Sequence, residues 1–180
     1  GSFVWERNES TEMAEDIIRI DDCPSPALVT IEVGGDGEEA TEEAIRGIYD
    51  SLRATSLAMS EKTVLPGGGA SHSMIAHHVR TEMESEPGRE RIAMESFARA
   101  METIPAVLAE NSGQNPLDKV LKLRSEARNG NCMGIDRDGK ITSPEGVWHP
   151  KSVISGSLET ATETAISMLR IDQVVSARGD

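Results

Sequence analysis

Aromatic residues make up only 3% of this 180-residue chain: two Phe, two Trp and one Tyr. Any core therefore has to be assembled from Ala, Leu, Ile, Val and Met, a set that suits helices packed closely on one another. Long apolar runs are missing as well. The longest hold a few residues, against the roughly 20 that a bilayer-crossing helix needs, so no membrane span is expected. Nothing at the N-terminus reads as a signal peptide. Gly1 and Ser2, with no Met before them, read as a cloning scar and are set aside from fold reasoning. Cysteine is limited to Cys23 and Cys132, which are far apart and form no CxxC pair. The expected state is two partly buried thiols in a reducing, cytoplasmic compartment. Suitably spaced zinc ligands are also lacking.

What the chain has in excess is negative charge, a formal −13 at pH 7. Phosphate backbones are bound by clustered Lys and Arg, so nucleic acid is excluded as a partner. The acidic residues are spread along the chain, as in Glu38, Glu39, Glu42, Glu43, Glu82, Glu84 and Glu86, and mark a heavily solvated surface. Lysine is confined to Lys62, Lys119, Lys122, Lys140 and Lys151, so arginine carries most of the positive charge. Together these features point to a halophilic source.

Periodicity then organises the chain. Asp16–Ile20 is a strand candidate, followed by a turn rich in Asp and Pro. Leu28–Val33 alternates as a second strand should, with Val29, Ile31 and Val33 on one face. A long helix is predicted over Glu38–Glu61. Ala40, Ala44, Ile45, Ile48 and Leu52 recur at helical spacing as a buried stripe, and acidic residues sit at its favourable N-terminal end. Pro66-Gly67-Gly68-Gly69 is the sharpest break and the expected lobe boundary. Beyond it, Met74, Ile75, His78 and Val79 mark one helix. A second carries Ala93, Phe97, Ala100, Met101, Ile104 and Leu108, with Pro105 inside it expected to kink or shift it. Asn115-Pro116 supplies an N-cap and a proline at the first position of a third helix, with Leu117, Val120 and Leu121 as its apolar positions and Asn129-Gly130 as its stop. Met133–Asp136 and Lys140–Thr142 flank Asp138-Gly139, a favoured hairpin pair. From Pro150 a last long helix carries Val153, Leu158, Ala161, Ala165 and Leu169. The fold class read from this pattern is mainly α with small β elements, α+β: a helical C-terminal lobe and a smaller mixed N-terminal lobe.

Four blocks in order carry a resemblance: AIRGIYDSL at Ala44–Leu52, VLPGGGAS at Val64–Ser71, IPAVLAENSGQNPLD at Ile104–Asp118 and ETATETAISMLRIDQVV at Glu159–Val175. They resemble the C-terminal portion of group II, thermosome-type, chaperonin subunits over nearly the whole chain beyond Asp16. The resemblance implies that residues 1–33 correspond to the end of an apical domain. Residues 34–66 then match a returning intermediate domain, and 67–180 the second half of an equatorial, nucleotide-binding domain. It further implies ATP or ADP with Mg²⁺ as cofactor, and other chaperonin subunits in a ring and unfolded proteins as partners.

Carried onto this sequence, the resemblance makes Asp50 the carboxylate that orients the water attacking the γ-phosphate, a task suited to an in-line hydrogen-bond acceptor. A solvated helix carboxylate is the alternative. Gly67, Gly68, Gly69 and Ala70 correspond to a segment lying against the nucleotide. Glycines permit close backbone approach and expose amides ahead of the next helix, although a hinge without ligand contact fits the same residues. No GK[ST] ending follows, so this is not a P-loop. Asn131 and Met133 fall in a loop resembling the one that lines the adenine pocket. His149, in GVWHP, stands where the family carries an acidic residue that holds the ribose hydroxyls; it can hydrogen-bond but lacks the fixed charge. The family's GDGTT-type phosphate loop and its magnesium-binding aspartate have no counterpart here, since Gly34–Gly37 lacks the threonines. The expectation is therefore no ATPase activity from this chain alone, with a docking module and a free-standing nucleotide-binding domain as the competing functions. His72, His77 and His78 have poor spacing for a metal and are expected to face solvent or pack. The apolar faces that would meet the rest of a subunit are expected to promote self-association.

Overall fold

The computed structural model describes residues 2–8, 15–22, 24–25 and 30–171. Its elements follow one another as β1 (Ser2–Asn8), β2 (Glu15–Asp21), α1 (Glu38–Glu61), β3 (Val64–Pro66), α2 (Ala70–Met83), α3 (Glu90–Asn111), α4 (Pro116–Arg128), β4 (Gly134–Ile135), β5 (Ile141–Thr142), β6 (Trp148–Pro150) and α5 (Lys151–Leu169). This is the mainly helical α+β fold that the periodicity predicts. The chain divides into two units, Gly1–Ile48 and Tyr49–Asp180.

In the first unit β1 and β2 form an antiparallel ladder in which Ser2 lies opposite Asp21 and Asn8 opposite Glu15. The strand predicted over Asp16–Ile20 is therefore present, and it pairs with the upstream segment Ser2–Asn8, which the periodicity did not mark as a strand. Thr30–Val33 carries no strand, while Leu28 and Val29 lie outside the described residues, as does Cys23. Alternation makes a segment able to pair, and a strand forms only where a neighbouring backbone completes the ladder. β2 finds that neighbour upstream, and Ser2, set aside as a scar, is part of it. Ser2 Oγ also donates to Asp22 Oδ2 at 3.4 Å.

In the second unit α2, α3 and α4 pack around two small clusters. Ala76, Ala98 and Met101 form one, with Ile75, Val79, Phe97 and Leu158 against it. Ala109, Leu123 and Ile135 form the other, backed by Met133 and Ile141. Alanine supplies two of the three buried residues of the first cluster and one of the second. Small side chains let the helix backbones approach, which is how a chain with so few aromatics builds a dry centre. α3 continues through Pro105, whose side chain is fully buried. Asn115 caps α4 as predicted, its side-chain oxygen accepting from the amides of Leu117 and Asp118 with Pro116 in the first turn. α4 ends in a left-handed Gly130.

The predicted apolar stripes are correct in spacing and wrong in burial. α1 has no buried residue. Ala40, Ala44 and Ile45 are exposed, Ile48 is half-buried, and Leu52 keeps 54% of its surface exposed. On α5 only Ile154 is buried and Leu158 partly so; Val153, Ala161, Ala165 and Leu169 are open. α4 buries Leu123 and Ala127, whereas Leu117 and Leu121 remain exposed. On α3, Met101 is buried, but Ala93, Ala100, Ile104 and Leu108 are not. A stripe is buried only where another element lies over it, and among the described residues too few elements are available.

Candidate functional site

Three residues of β3 and three of β6 form an antiparallel pairing with Leu65 opposite His149. It is too short to be visible as alternation in either stretch. The pairing presents the glycine bend to its surroundings: Gly67 N donates to the Val147 carbonyl at 2.8 Å, and the Gly68 carbonyl accepts from Ile135 N at 2.8 Å. Gly68 and Gly69 have φ of +61° and +75°, the left-handed region that favours glycine. Each glycine also faces protein at close range. A Cβ on Gly67 would lie 3.2 Å from His149 Nε2 and closer still to Val147. On Gly68 it would meet the Ile135 carbonyl at 2.8 Å, and on Gly69 the Pro105 Cβ at 2.8 Å. The glycines thus let β6, the β4–β5 hairpin and α3 converge on one turn.

The bend leads directly into α2. Gly69 is its N-cap and brings no side-chain hydrogen bond, and Ala70 is fully buried in the first turn. Ser71 Oγ ties the turn to the Pro66 carbonyl at 2.6 Å, and Ser73 Oγ donates to the Gly69 carbonyl at 3.0 Å. The amides of Gly68 and Gly69 have no hydrogen-bond partner among the described residues. Two donors therefore remain where the positive end of the α2 dipole begins, an arrangement that favours a ligand's oxygen atoms.

His149 borders this bend, its Nε2 3.2 Å from where a Gly67 Cβ would lie, and it has a companion the sequence did not reveal. His72 is half-buried; burial, followed by the nearby His149, lowers its pKa and favours the neutral imidazole. His77 is half-buried, and His78 is exposed with Glu82 4.0 Å away. Among the described residues no group of three or more His, Cys, Asp or Glu side chains is arranged to hold a metal ion.

Met133 and Asn131 lie just before β4. Met133 packs against the Ala109–Leu123–Ile135 cluster. Asn131 is exposed, with its amide donating to Glu126 Oε2 at 2.8 Å. Cys132 is half-buried, and burial raises the pKa of its thiol. In the hairpin turn, Asp136 Oδ1 accepts from the amides of Asp138 and Lys140 at 2.9 and 2.8 Å.

Asp50 is exposed on α1. It lines an open groove of about 470 Å³ with Arg53, Leu57 and, from α5, Val153. Gly67, Gly68, Gly69 and His149 do not line that groove, so Asp50 stands apart from the residues gathered at the bend. α1 and α5 are joined nearby, where Ser152 N donates to Glu61 Oε2 at 3.1 Å. The hydrogen bonds from Ser152 are the main reason the Glu61 carboxyl has a lowered pKa. This acid serves as a remote cap for a helix whose own N-cap, Pro150, has none to offer.

The most heavily charged interior feature was not anticipated. Glu102 retains only 6% of its surface. Its carboxylate accepts from Arg80 Nη2 at 2.9 Å and Arg124 Nε at 2.7 Å, with further bonds from Arg80 Nη1 and Arg124 Nη2. Arg80 Nε also donates to Glu95 Oε2 at 3.0 Å. Burial pushes the Glu102 carboxyl up, but the hydrogen bonds and charges of Arg124 and Arg80 outweigh it and hold its pKa below the usual value. The Arg80 guanidinium is correspondingly held more firmly protonated, chiefly by Glu102. A signal was available: Glu102 shares the α3 face of Ala98, Pro105 and Ala109, all buried. A carboxylate on an apolar face needs a buried partner.

Comparison with known proteins supplies the wider frame. The TCP-1/cpn60 chaperonin family matches residues 5–179. The chain is 37% identical over 175 residues to a thermosome subunit of Methanocaldococcus jannaschii, covering 94% of this chain and 32% of that protein. It is 39% identical over 178 residues to the thermosome subunit beta of Thermoplasma acidophilum, covering 96% and 33%. Among solved structures it is similar to the open-state monomer of a group II chaperonin from Methanococcoides burtonii. That match has a TM-score of 0.66 and 26% identity, covering 93% of this chain and 42% of the other. The chain thus spans about a third of the length of the curated relatives it matches.

Proposed function

Since the chain belongs to the TCP-1/cpn60 chaperonin family, we propose that it supplies the returning part of an ATP-driven protein-folding subunit. In this reading, residues 1–33 close an apical segment and 34–66 form the intermediate segment. Residues 67–180 then complete the helical equatorial domain. The intact subunit works in a ring with other subunits, on unfolded protein, in the cytoplasm.

The observation that carries the nucleotide side of this reading is the glycine bend, fixed from three directions with the Gly68 and Gly69 amides left over. Those amides, with Ala70 opening α2, suit the oxygen atoms of a bound nucleotide. His149 offers a hydrogen bond to its sugar, and Asn131 and Met133 lie on the hairpin side, toward the base. The bend supplies contacts to one part of a nucleotide; the magnesium ligand and the main phosphate loop belong to the portion of the relatives' length that this chain does not span. Asp50 is assigned to orient the attacking water, which it reaches once the intermediate segment closes over the equatorial one. Phosphoryl transfer depends on metal and amide contacts to the phosphates, so this chain alone does not turn over ATP.

The test is Asp50→Ala in a complete subunit. Steady-state hydrolysis should fall at least a hundredfold while equilibrium ATP binding stays within a few-fold of wild type. Normal turnover would remove Asp50 from the mechanism. A second reading, a docking module without turnover, draws on the exposed Tyr49, Leu52 and Met59 of α1. It is favoured if the chain associates with complete subunits and leaves their ATPase rate unchanged.

A further inference from the structure

A cavity of about 40 Å³ lies between α2 and α4, lined by Ser73, His77 and Arg80 of the first helix and Arg124 and Arg128 of the second. The spacing is helical on both sides. Residues 73, 77 and 80 share one face of α2, and 124 and 128 lie one turn apart on α4. No carboxylate lines the cavity. In a chain of net charge −13, this is a locally cationic interior.

The arginines are not all consumed by the carboxylates behind them. Arg80 is engaged by Glu102 and Glu95, and Arg124 by Glu102 through Nε and Nη2, leaving Arg124 Nη1 without a partner among the described residues. Arg128 makes no ion pair among the described residues. The three guanidiniums that line the cavity meet two carboxylates, one of which, Glu95, is also paired with Arg99, so positive charge is in excess. The Ser73 hydroxyl spends its proton on the Gly69 carbonyl, so the available donors come from arginine and His77. The Glu102 bonds hold Arg80 and Arg124 in place before any ligand arrives, which reduces the ordering cost of binding. By the ~10–15 Å³ that one water requires, the cavity has room for roughly three waters, the bulk of a small tetrahedral ion.

We propose that Arg124 and Arg128, with His77 and Arg80 at the back, form a binding site for a small tetrahedral oxyanion of the phosphate or sulfate type. Planar guanidinium forks match such oxygens better than they match a spherical halide. The site is separate from the glycine bend in its donors, since it uses side chains where the bend offers amides.

The test is calorimetric titration of the chain with inorganic phosphate and with sulfate at constant ionic strength set by chloride. Saturable one-to-one binding that persists over chloride is expected. Arg128→Ala should weaken it at least tenfold. Arg128→Lys, which keeps the charge and loses the fork, should weaken it less. Arg128 lies outside the buried Glu102 bonds, so both variants retain the fold, and circular dichroism checks this. Absence of saturable binding to the folded chain would overturn the proposal, as would binding indifferent to Arg128→Ala, which would place the anion elsewhere, at the glycine bend for instance.

Discussion

Glu102 shows how much of this molecule depends on single side chains. It is nearly water-free and satisfied by two arginines from neighbouring helices. Removing Glu102 leaves Arg124 without its carboxylate and Arg80 with Glu95 alone, and breaking such a buried set costs about 3–5 kcal/mol. Glu102→Ala should therefore lower stability by about that amount in urea unfolding, far more than a surface carboxylate would. The pH dependence follows from the lowered carboxyl. A group depressed in the folded state contributes fully above its unfolded value of 4.5 and loses that contribution as pH falls through the folded one. Wild-type stability should thus decline below about pH 4.5, and the Glu102→Ala chain should show a shallower decline. An identical acid limb in both would remove Glu102 as its source.

Elements were legible wherever their signals are local. The extent of α1, the Asn115-Pro116 start of α4 and the Asp138-Gly139 hairpin all follow from spacing or capping within a few residues. The β3–β6 pairing was not legible, because three-residue strands carry no period and their partners are distant in sequence. The same limit hid much of the site. The glycine bend and His149 were singled out as residues, but their meeting, and the half-buried His72 beside them, follow from a pairing that no local pattern encodes. Glu61 is the element-scale counterpart, an acid at the end of one helix that caps another. Glu61→Gln should leave α1 intact and loosen the first turn of α5, seen as faster hydrogen exchange at Ser152. The same loosening should appear in wild type as pH falls through the lowered Glu61 value, because protonation removes the charge that the amide donates to. Unchanged exchange at Ser152 would show that the cap is incidental.

The whole molecule combines strong acidity with uncovered apolar faces. Tyr49, Met59, Leu117 and Leu169 retain 58%, 74%, 65% and 84% of their surface. A net charge of −13 opposes association at low ionic strength, when charges act over ~30 Å, and much less in molar salt, when the Debye length is ~3 Å. The chain should therefore sediment as larger species as salt rises, and gain helix content if its fold is adapted to salt. A sharply two-state monomer, indifferent to salt from millimolar to molar, would contradict both expectations. The clasp at the foot of α5 bears on how such a chain acquires its fold. α2, α3 and α4 are consecutive neighbours that can dock soon after each forms, whereas the bond from Ser152 to Glu61 closes 91 residues of chain. Closing so long a loop costs entropy before it returns any contact. The helical hairpins are therefore expected in the folding nucleus, with the joining of α1 to α5 coming after the barrier. Weakening that clasp should speed unfolding while leaving the refolding rate nearly untouched. On that expectation, contacts made late rather than early set how long the chain stays folded.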